Sequence, residues 1–309
     1  MKGLLSLLGP ASFILLLLYI GYDQTLKNAE TNTAENIDPI QIGESWQPFV
    51  AVSYDLPDKV SFAGEPVPMD LSDVYERLDK ELQINVYLHS STLFLLKRAN
   101  RWFPKMEEIL KANGIPDDFK YLPLIESALL NATSPKDAVG YWQILESSGK
   151  ELGLEINKEV DERYDPIKST EAACKYLKKA YSKFGNWTLV AASYNRGIAG
   201  VSGELKDQRV DNYYDLHMND ETSRYVFRIL AIKEIFENPV KYGFKLKPQH
   251  LYQAEALKHV EVDESIKDLV AFAQSQGSNY KLLKRHNPWL RQNKLTVKKG
   301  KKYQIALPA

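Results

Sequence analysis

Between Asp70 and Phe244 the apolar residues recur at three- and four-residue spacings, which restricts this stretch to helices packed on helices. Val74, Leu78, Leu82 and Val86 form one such face, continued by Leu93 and Leu96. A further helix is expected from Phe103 to Ala112, closed by Asn113-Gly114 with Pro116 beyond. Asp165-Pro166 has the form of an N-cap followed by proline at the first helical position. The helix it opens should run to Phe184, where Gly185-Asn186 ends it. Two more helices are expected over Trp187–Tyr194 and Glu221–Phe236. Few segments here alternate with period two, so the fold class is mainly α, with an all-α domain over residues 70–244.

The flanks differ. Residues 3–22 carry no charge and are long enough to cross a bilayer as a helix. Residues 1–22 therefore read as an N-terminal signal-anchor, with Lys2 on the cytoplasmic side and the rest of the chain exported. The alternative is a cleaved signal peptide, which exports the body equally. No cysteine follows this run for lipid attachment, and the single Cys174 excludes a disulfide framework and a cysteine zinc site. Residues 23–69 are polar, then punctuated by Pro39, Pro48, Pro57, Pro66 and Pro68, which predicts an extended tether with a short strand at Phe49–Val52.

Beyond Lys245 the pattern becomes strand, helix, helix, strand. His259–Val262, Ser265–Gln276, Asn279–Lys284 and Lys302–Leu307 are the expected elements of a small β-α-α-β module over residues 245–309. Charge is segregated as well. Asp23–Lys80 holds 4 basic and 12 acidic residues, whereas Lys245–Ala309 holds 13 basic and 5 acidic. The basic tail is either a solvated surface or a face for an anionic polymer or membrane.

Glu126 is the chemical oddity. In the stretch Asp117–Leu130 an aspartate can cap a helix whose apolar face includes Leu122, Ile125 and Leu129, and Glu126 shares that face. A carboxyl there is a rim residue, a buried pair, or a group kept protonated by desolvation and so competent as a general acid. Gly140-Tyr141-Trp142-Gln143 sets a glycine able to admit close backbone approach beside two aromatics and an amide. Tyr194-Asn195 puts a phenol and an amide at a helix end. Aromatic faces with amides suit a carbohydrate, although each aromatic by itself also reads as core.

Ile125-Glu126-Ser127, Gly140-Tyr141-Trp142-Gln143 and Ser193-Tyr194-Asn195-Arg196-Gly197 together resemble the three ordered motifs of the soluble-lytic-transglycosylase (goose-lysozyme-like) domain family, in its membrane-bound lytic murein transglycosylase D type. Gly114-Ile115-Pro116 and Glu221–Val226 add to the resemblance, which covers Leu71 to Gly243. Two departures are Tyr141-Trp142 where many members carry Leu-Met, and Ser193 where alanine is usual. The resemblance implies a lysozyme-like catalytic domain that cleaves the MurNAc-β-1,4-GlcNAc bond of peptidoglycan without water, leaving 1,6-anhydro-MurNAc ends. It implies Glu126 as single acid and base, with Ser127, Gln143, Tyr194, Asn195 and Tyr225 positioning that carboxyl or the sugar. After Lys245, Val260-Glu261-Val262, Asp268–Ala273, Leu282-Leu283, Asn287-Pro288 and Gly300–Ile305 resemble a LysM peptidoglycan-binding repeat, with Val262-Asp263-Glu264-Ser265 in place of the usual Gly-Asp-Thr.

The implied partners are glycan strands and, through the N-terminal helix, a membrane, at the periplasmic face of a bacterial envelope. No cofactor, metal or nucleic acid is implied: His89, His217, His250, His259 and His286 lack metal-ligand spacing, and no Gly-rich phosphate loop is present. Two alternatives share the same residues: a muramidase in which water attacks, and a wall-binding scaffold without turnover.

Overall fold

Helix α1 (Ser72–Tyr87) opens the helical body in the computed structural model, which describes residues 51–309. Val74, Leu78, Leu82 and Val86 are all buried, as their spacing predicts. At Leu88 the chain leaves the helix, with φ −77° and ψ 50°, and Thr92 Oγ1 donates to the Asn85 carbonyl at 2.5 Å across the corner. Helix α2 (His89–Ala112) then runs without interruption through Pro104. The helix expected to begin at Phe103 is thus the second half of a longer one, because burial of Met106, Ile109 and Leu110 outweighs the backbone bond that proline cannot make. A 3-10 turn (Asp117–Tyr121) leads into the short helix α3 (Leu122–Ser127), followed by α4 (Glu146–Glu151).

The capped helix α5 (Pro166–Phe184) forms as expected: the Asp165 carboxylate accepts from the amides of Ile167 and Lys168, and Gly185 closes it at φ +62°. Asn186 caps α6 (Trp187–Arg196) in the same way, through the Leu189 amide. Helix α7 (Ile198–Gln208) follows, with Gly200 and Gly203 inside it, and then α8 (Asp220–Glu237), which packs along α1. The result is mainly α-helical around one apolar core.

Residues 53–69, expected as the end of the tether, are instead part of this body. Strands β1 (Ser61–Phe62) and β2 (Glu65–Pro66) form a minimal hairpin. Phe62 is fully buried with its ring 5.2 Å from that of Phe119, and Val67 lies in the same core. Burying such side chains contributes about 1.5–3 kcal/mol each, and Phe62 and Val67, with Tyr54, Leu56, Val60 and Met69 packed beside them, together offset the entropy lost in ordering the segment on the helices. Of the strand expected at Phe49–Val52, Ala51 and Val52 are non-strand, and the rest lies outside the described residues. The signal-anchor and the first part of the tether lie outside them too. No helix among the described residues is long and apolar enough to cross a membrane.

The C-terminal β-α-α-β module pairs β3 (Leu257–Val262) antiparallel with β4 (Tyr303–Pro308), in register from Leu257↔Pro308 to Val262↔Tyr303. Between them lie α9 (Leu269–Ser275) and α10 (Tyr280–His286), capped by Asp268 and Asn279. Helix α9 starts four residues later than the apolar pattern indicates, because Ile266 exchanges backbone hydrogen bonds with Leu295. Asn287, 1% exposed, ties β4 down by donating to the Ala306 carbonyl and accepting from the Ala306 amide.

Candidate active site

Glu126 lies at the end of α3, one residue before that helix stops. Ala128 and Leu129 both take φ +55°, so Leu129 is not a further turn of the Glu126 face; it is buried beneath it by a reversal of the chain. Neither aspartate caps the helix. Asp118 instead accepts from the Ala63 amide and from Lys233 Nζ, each at 2.7 Å, binding the β1–β2 hairpin and α8 to this segment.

Helix α8 supplies the groups that surround the carboxyl. Glu221, Tyr225 and Arg228 are spaced four and three residues apart on one of its faces. Tyr225, 2% exposed, donates its hydroxyl to Glu126 Oε1 at 2.5 Å. Arg228 donates to the Ile125 carbonyl at 3.0 Å, which holds a cation beside the carboxyl without a direct ion pair. Glu221 accepts from Asn195 Nδ2 at 3.1 Å, and Asn195 Oδ1 accepts from the buried Thr222 hydroxyl at 2.8 Å.

The balance of these effects favours a neutral acid. Loss of hydration raises the Glu126 carboxyl to about 7; the Tyr225 hydrogen bond and Arg228 oppose that rise, and Glu221 reinforces it. The phenols of Tyr225 and Tyr194 are pushed well above their ordinary range by burial, and further by Glu126, so both remain hydrogen-bond donors. A carboxyl poised near neutrality can give a proton at one step and take one back at the next.

Of the five residues expected to assist Glu126, Tyr225 alone among the described residues hydrogen-bonds its carboxyl. The others build the wall around it. Ser127 Oγ donates to the Tyr141 carbonyl at 2.8 Å, and Tyr194 donates to the Trp142 carbonyl at 2.8 Å. Gln143, at φ +46°, closes its own loop by donating to the carbonyls of Gly140 and Ala132. Trp142 is core, fully buried with its indole N–H on Thr170, and Tyr141 is also buried, edge-on to Trp102. Ser193 returns its hydroxyl to the Val190 carbonyl, so it fits where alanine is usual. Gly140 departs from expectation: at φ +81° its missing side chain makes room for the Arg163 carbonyl, which a Cβ would meet at 2.1 Å, rather than for a ligand.

Residues missed by sequence reasoning therefore matter. Arg163 forms a bidentate pair with Asp161 at 2.7 and 3.0 Å, both side chains being buried, and donates to the carbonyls of Asp137 and Ile144. It thereby fixes both ends of the 137–144 loop. Glu221 stands in a segment already notable for its family resemblance, and Arg228 follows from Tyr225 by helical spacing alone.

Two regions of the chain match known protein families. Residues 106–216 match the transglycosylase SLT domain, and residues 258–309 match the soluble lytic transglycosylase C-terminal LysM-like domain. Membrane-bound lytic murein transglycosylase D of Escherichia coli K12 is 29% identical over 239 residues, 74% of this chain and 51% of that protein. A putative tributyltin chloride resistance protein of Alteromonas sp. is 30% identical over 118 residues, 38% of this chain and 57% of that protein. The chain spans about half the length of the curated relatives it matches. Among solved structures, the lytic transglycosylase Slt of Pseudomonas aeruginosa aligns with TM-score 0.36 and 20% identity, covering 50% of this chain and 26% of that one. The 70 kDa soluble lytic transglycosylase of Escherichia coli aligns with TM-score 0.39 and 18% identity, covering 57% and 33%.

Proposed function

We propose that this chain, a member of the transglycosylase SLT family over residues 106–216, cleaves peptidoglycan between N-acetylmuramic acid and N-acetylglucosamine with Glu126 as its one acid and base. The observation that carries the reading is the Tyr225 hydroxyl set 2.5 Å from Glu126 Oε1 in a desolvated site, where loss of hydration raises the carboxyl. Because Oε1 accepts from Tyr225, Oε2 is the oxygen that carries the transferable proton.

Glu126 donates that proton to the glycosidic oxygen as the bond to muramoyl C1 breaks, and the electron pair leaves with the N-acetylglucosamine hydroxyl. The resulting carboxylate takes the proton of the muramoyl C6 hydroxyl while that oxygen attacks C1. A 1,6-anhydro ring closes, the acid is regenerated and no water is consumed. Neutral Glu126 suits the first half; Arg228 and the Tyr225 hydroxyl stabilise the carboxylate required between the halves. Asn195, held by Glu221 and Thr222, contacts the sugar in this reading, while Gln143, whose amide hydrogens go to the carbonyls of Gly140 and Ala132, shapes the wall beside it.

The proposed setting rests on residues 3–22, which as a retained anchor or as a cleaved signal send the folded body to the periplasmic side. Mass spectrometry of muropeptides released from purified sacculi tests the activity. Fragments with anhydro-muramoyl ends, absent with Glu126→Gln, are expected. Reducing muramoyl ends would convert the assignment to a muramidase, and no release with retained sacculus binding would convert it to a scaffold.

A further inference from the structure

Residues 155–164, between α4 and α5, are gripped from both sides. On the outer side lies the C-terminal module. Val160, 1% exposed, is seated in the module's own core with Leu290, Leu295 and Trp289, although it belongs to the catalytic domain by sequence. The backbone seals around it: the Asp161 amide donates to the Trp289 carbonyl at 2.9 Å, and the Arg291 amide to the Glu159 carbonyl at 2.7 Å. The Glu159 carboxylate accepts from the Thr296 amide at 2.7 Å and pairs with Lys294 at 3.1 Å. Glu155 accepts from the Tyr303 hydroxyl at 3.0 Å and pairs with Lys301. The Arg291 guanidinium lies 3.8 Å from the centre of the Tyr164 ring.

On the inner side the same ten residues hold the active-site loop. Asp161 orients Arg163, Arg163 holds the carbonyls of Asp137 and Ile144, and the Arg163 carbonyl fills the gap at Gly140. That loop presents the Tyr141 and Trp142 carbonyls to Ser127 and Tyr194, beside Glu126. Module, connector and catalytic wall form one continuous set of contacts.

We propose that the C-terminal module is a fixed brace of the catalytic loop, with Val160 as its plug and Asp161 and Arg163 as positioning residues. Cations of the basic tail, Lys294, Lys301 and Arg291, face the acids and aromatic ring of the catalytic domain, so they serve this docking rather than a free glycan-binding surface. For turnover the proposal rests on the function proposed above; for loop order it does not.

The test uses the full chain with Val160→Asp, which puts a charge into the module core, and Glu159→Lys, which repels Lys294 without touching the core and serves if the first variant fails to fold. Two readouts are taken: amide hydrogen exchange of residues 137–144 and 258–308, and kcat against KM on soluble glycan strands. The brace predicts exchange accelerated about tenfold or more in both segments, because loop amides follow the opening of what holds them. It predicts kcat reduced about tenfold with KM little changed, as small misplacements of a catalytic wall act on the chemical step. Val160→Ile, which keeps an apolar plug, retains wild-type values. Acceleration confined to 258–308, or a loss carried by KM and sacculus binding with kcat intact, would show an independent wall-binding module and overturn the proposal. Unchanged exchange in both segments would overturn the plug. Exchange does not depend on turnover, so a chain without lytic activity would defeat the proposed function and leave the brace standing on its own result.

Discussion

Glu126→Gln should make the folded chain more stable, and the gain should depend on pH. The carboxyl titrates at about 7 in the folded state against an ordinary 4.5, so its ionisation is disfavoured there relative to the unfolded chain. At about 1.4 kcal/mol per pH unit the gap corresponds to about 3 kcal/mol. The sign follows from proton counting. Below pH 4.5 the group is protonated in both states and the substitution changes little. Between 4.5 and 7 the unfolded chain releases the proton first, so stability falls as pH rises, and above 7 the whole deficit is present. Glutamine is neutral throughout, keeps the shape, and still offers an oxygen to the Tyr225 hydroxyl. Urea unfolding followed by tryptophan fluorescence, from pH 4 to 8, should show parity at the acid end and an advantage of about 3 kcal/mol for the variant at pH 8. An offset that does not change with pH, or a variant less stable than wild type at pH 8, would refute the claim that desolvation holds this carboxyl neutral.

Other expectations follow from single contacts. Tyr225→Phe removes the donor that favours the carboxylate, so the Glu126 pKa rises; a hydrogen bond to a charged group is worth about 1.5–3 kcal/mol, which moves the alkaline limb of the rate profile up by about 1–2 pH units while kcat falls. Lytic rates against pH measure it. Gly140→Ala combines a left-handed backbone with collision against the Arg163 carbonyl, and should cost about 2–4 kcal/mol in urea unfolding and most of the activity. Asn287→Ala leaves the Ala306 amide and carbonyl without their partner in a buried site, a loss of about 1–3 kcal/mol, seen as faster exchange in β4.

The parts of this fold legible in the sequence are those fixed by local chemistry. Asp165, Gly185 and the periodicity of α1 act within a turn or two of themselves, and the helix start, helix end and buried face they imply are present. Glu126 and Tyr225, which the family resemblance pairs, meet in the fold. What was not legible depends on partners distant along the chain. Phe62 is one aromatic among prolines until Phe119 is brought against it 57 residues later. Helix α7 is obscured by two glycines, and α3 ends where Leu129 turns down into the core rather than where an apolar pattern fades. Asp161 and Arg163 are two residues of a charged connector until the loop at Gly140 closes over them. Val160 carries no mark of belonging to another module's core.

In the proposed reaction the muramoyl C6 hydroxyl, not water, attacks C1 while Glu126 carries the proton. Digestion of sacculi in heavy-oxygen water, with mass analysis of the muramoyl ends released, tests it most directly. Anhydro ends with no solvent oxygen incorporated are expected. Solvent oxygen at C1 of those ends, lost together with activity in Glu126→Gln, would contradict it.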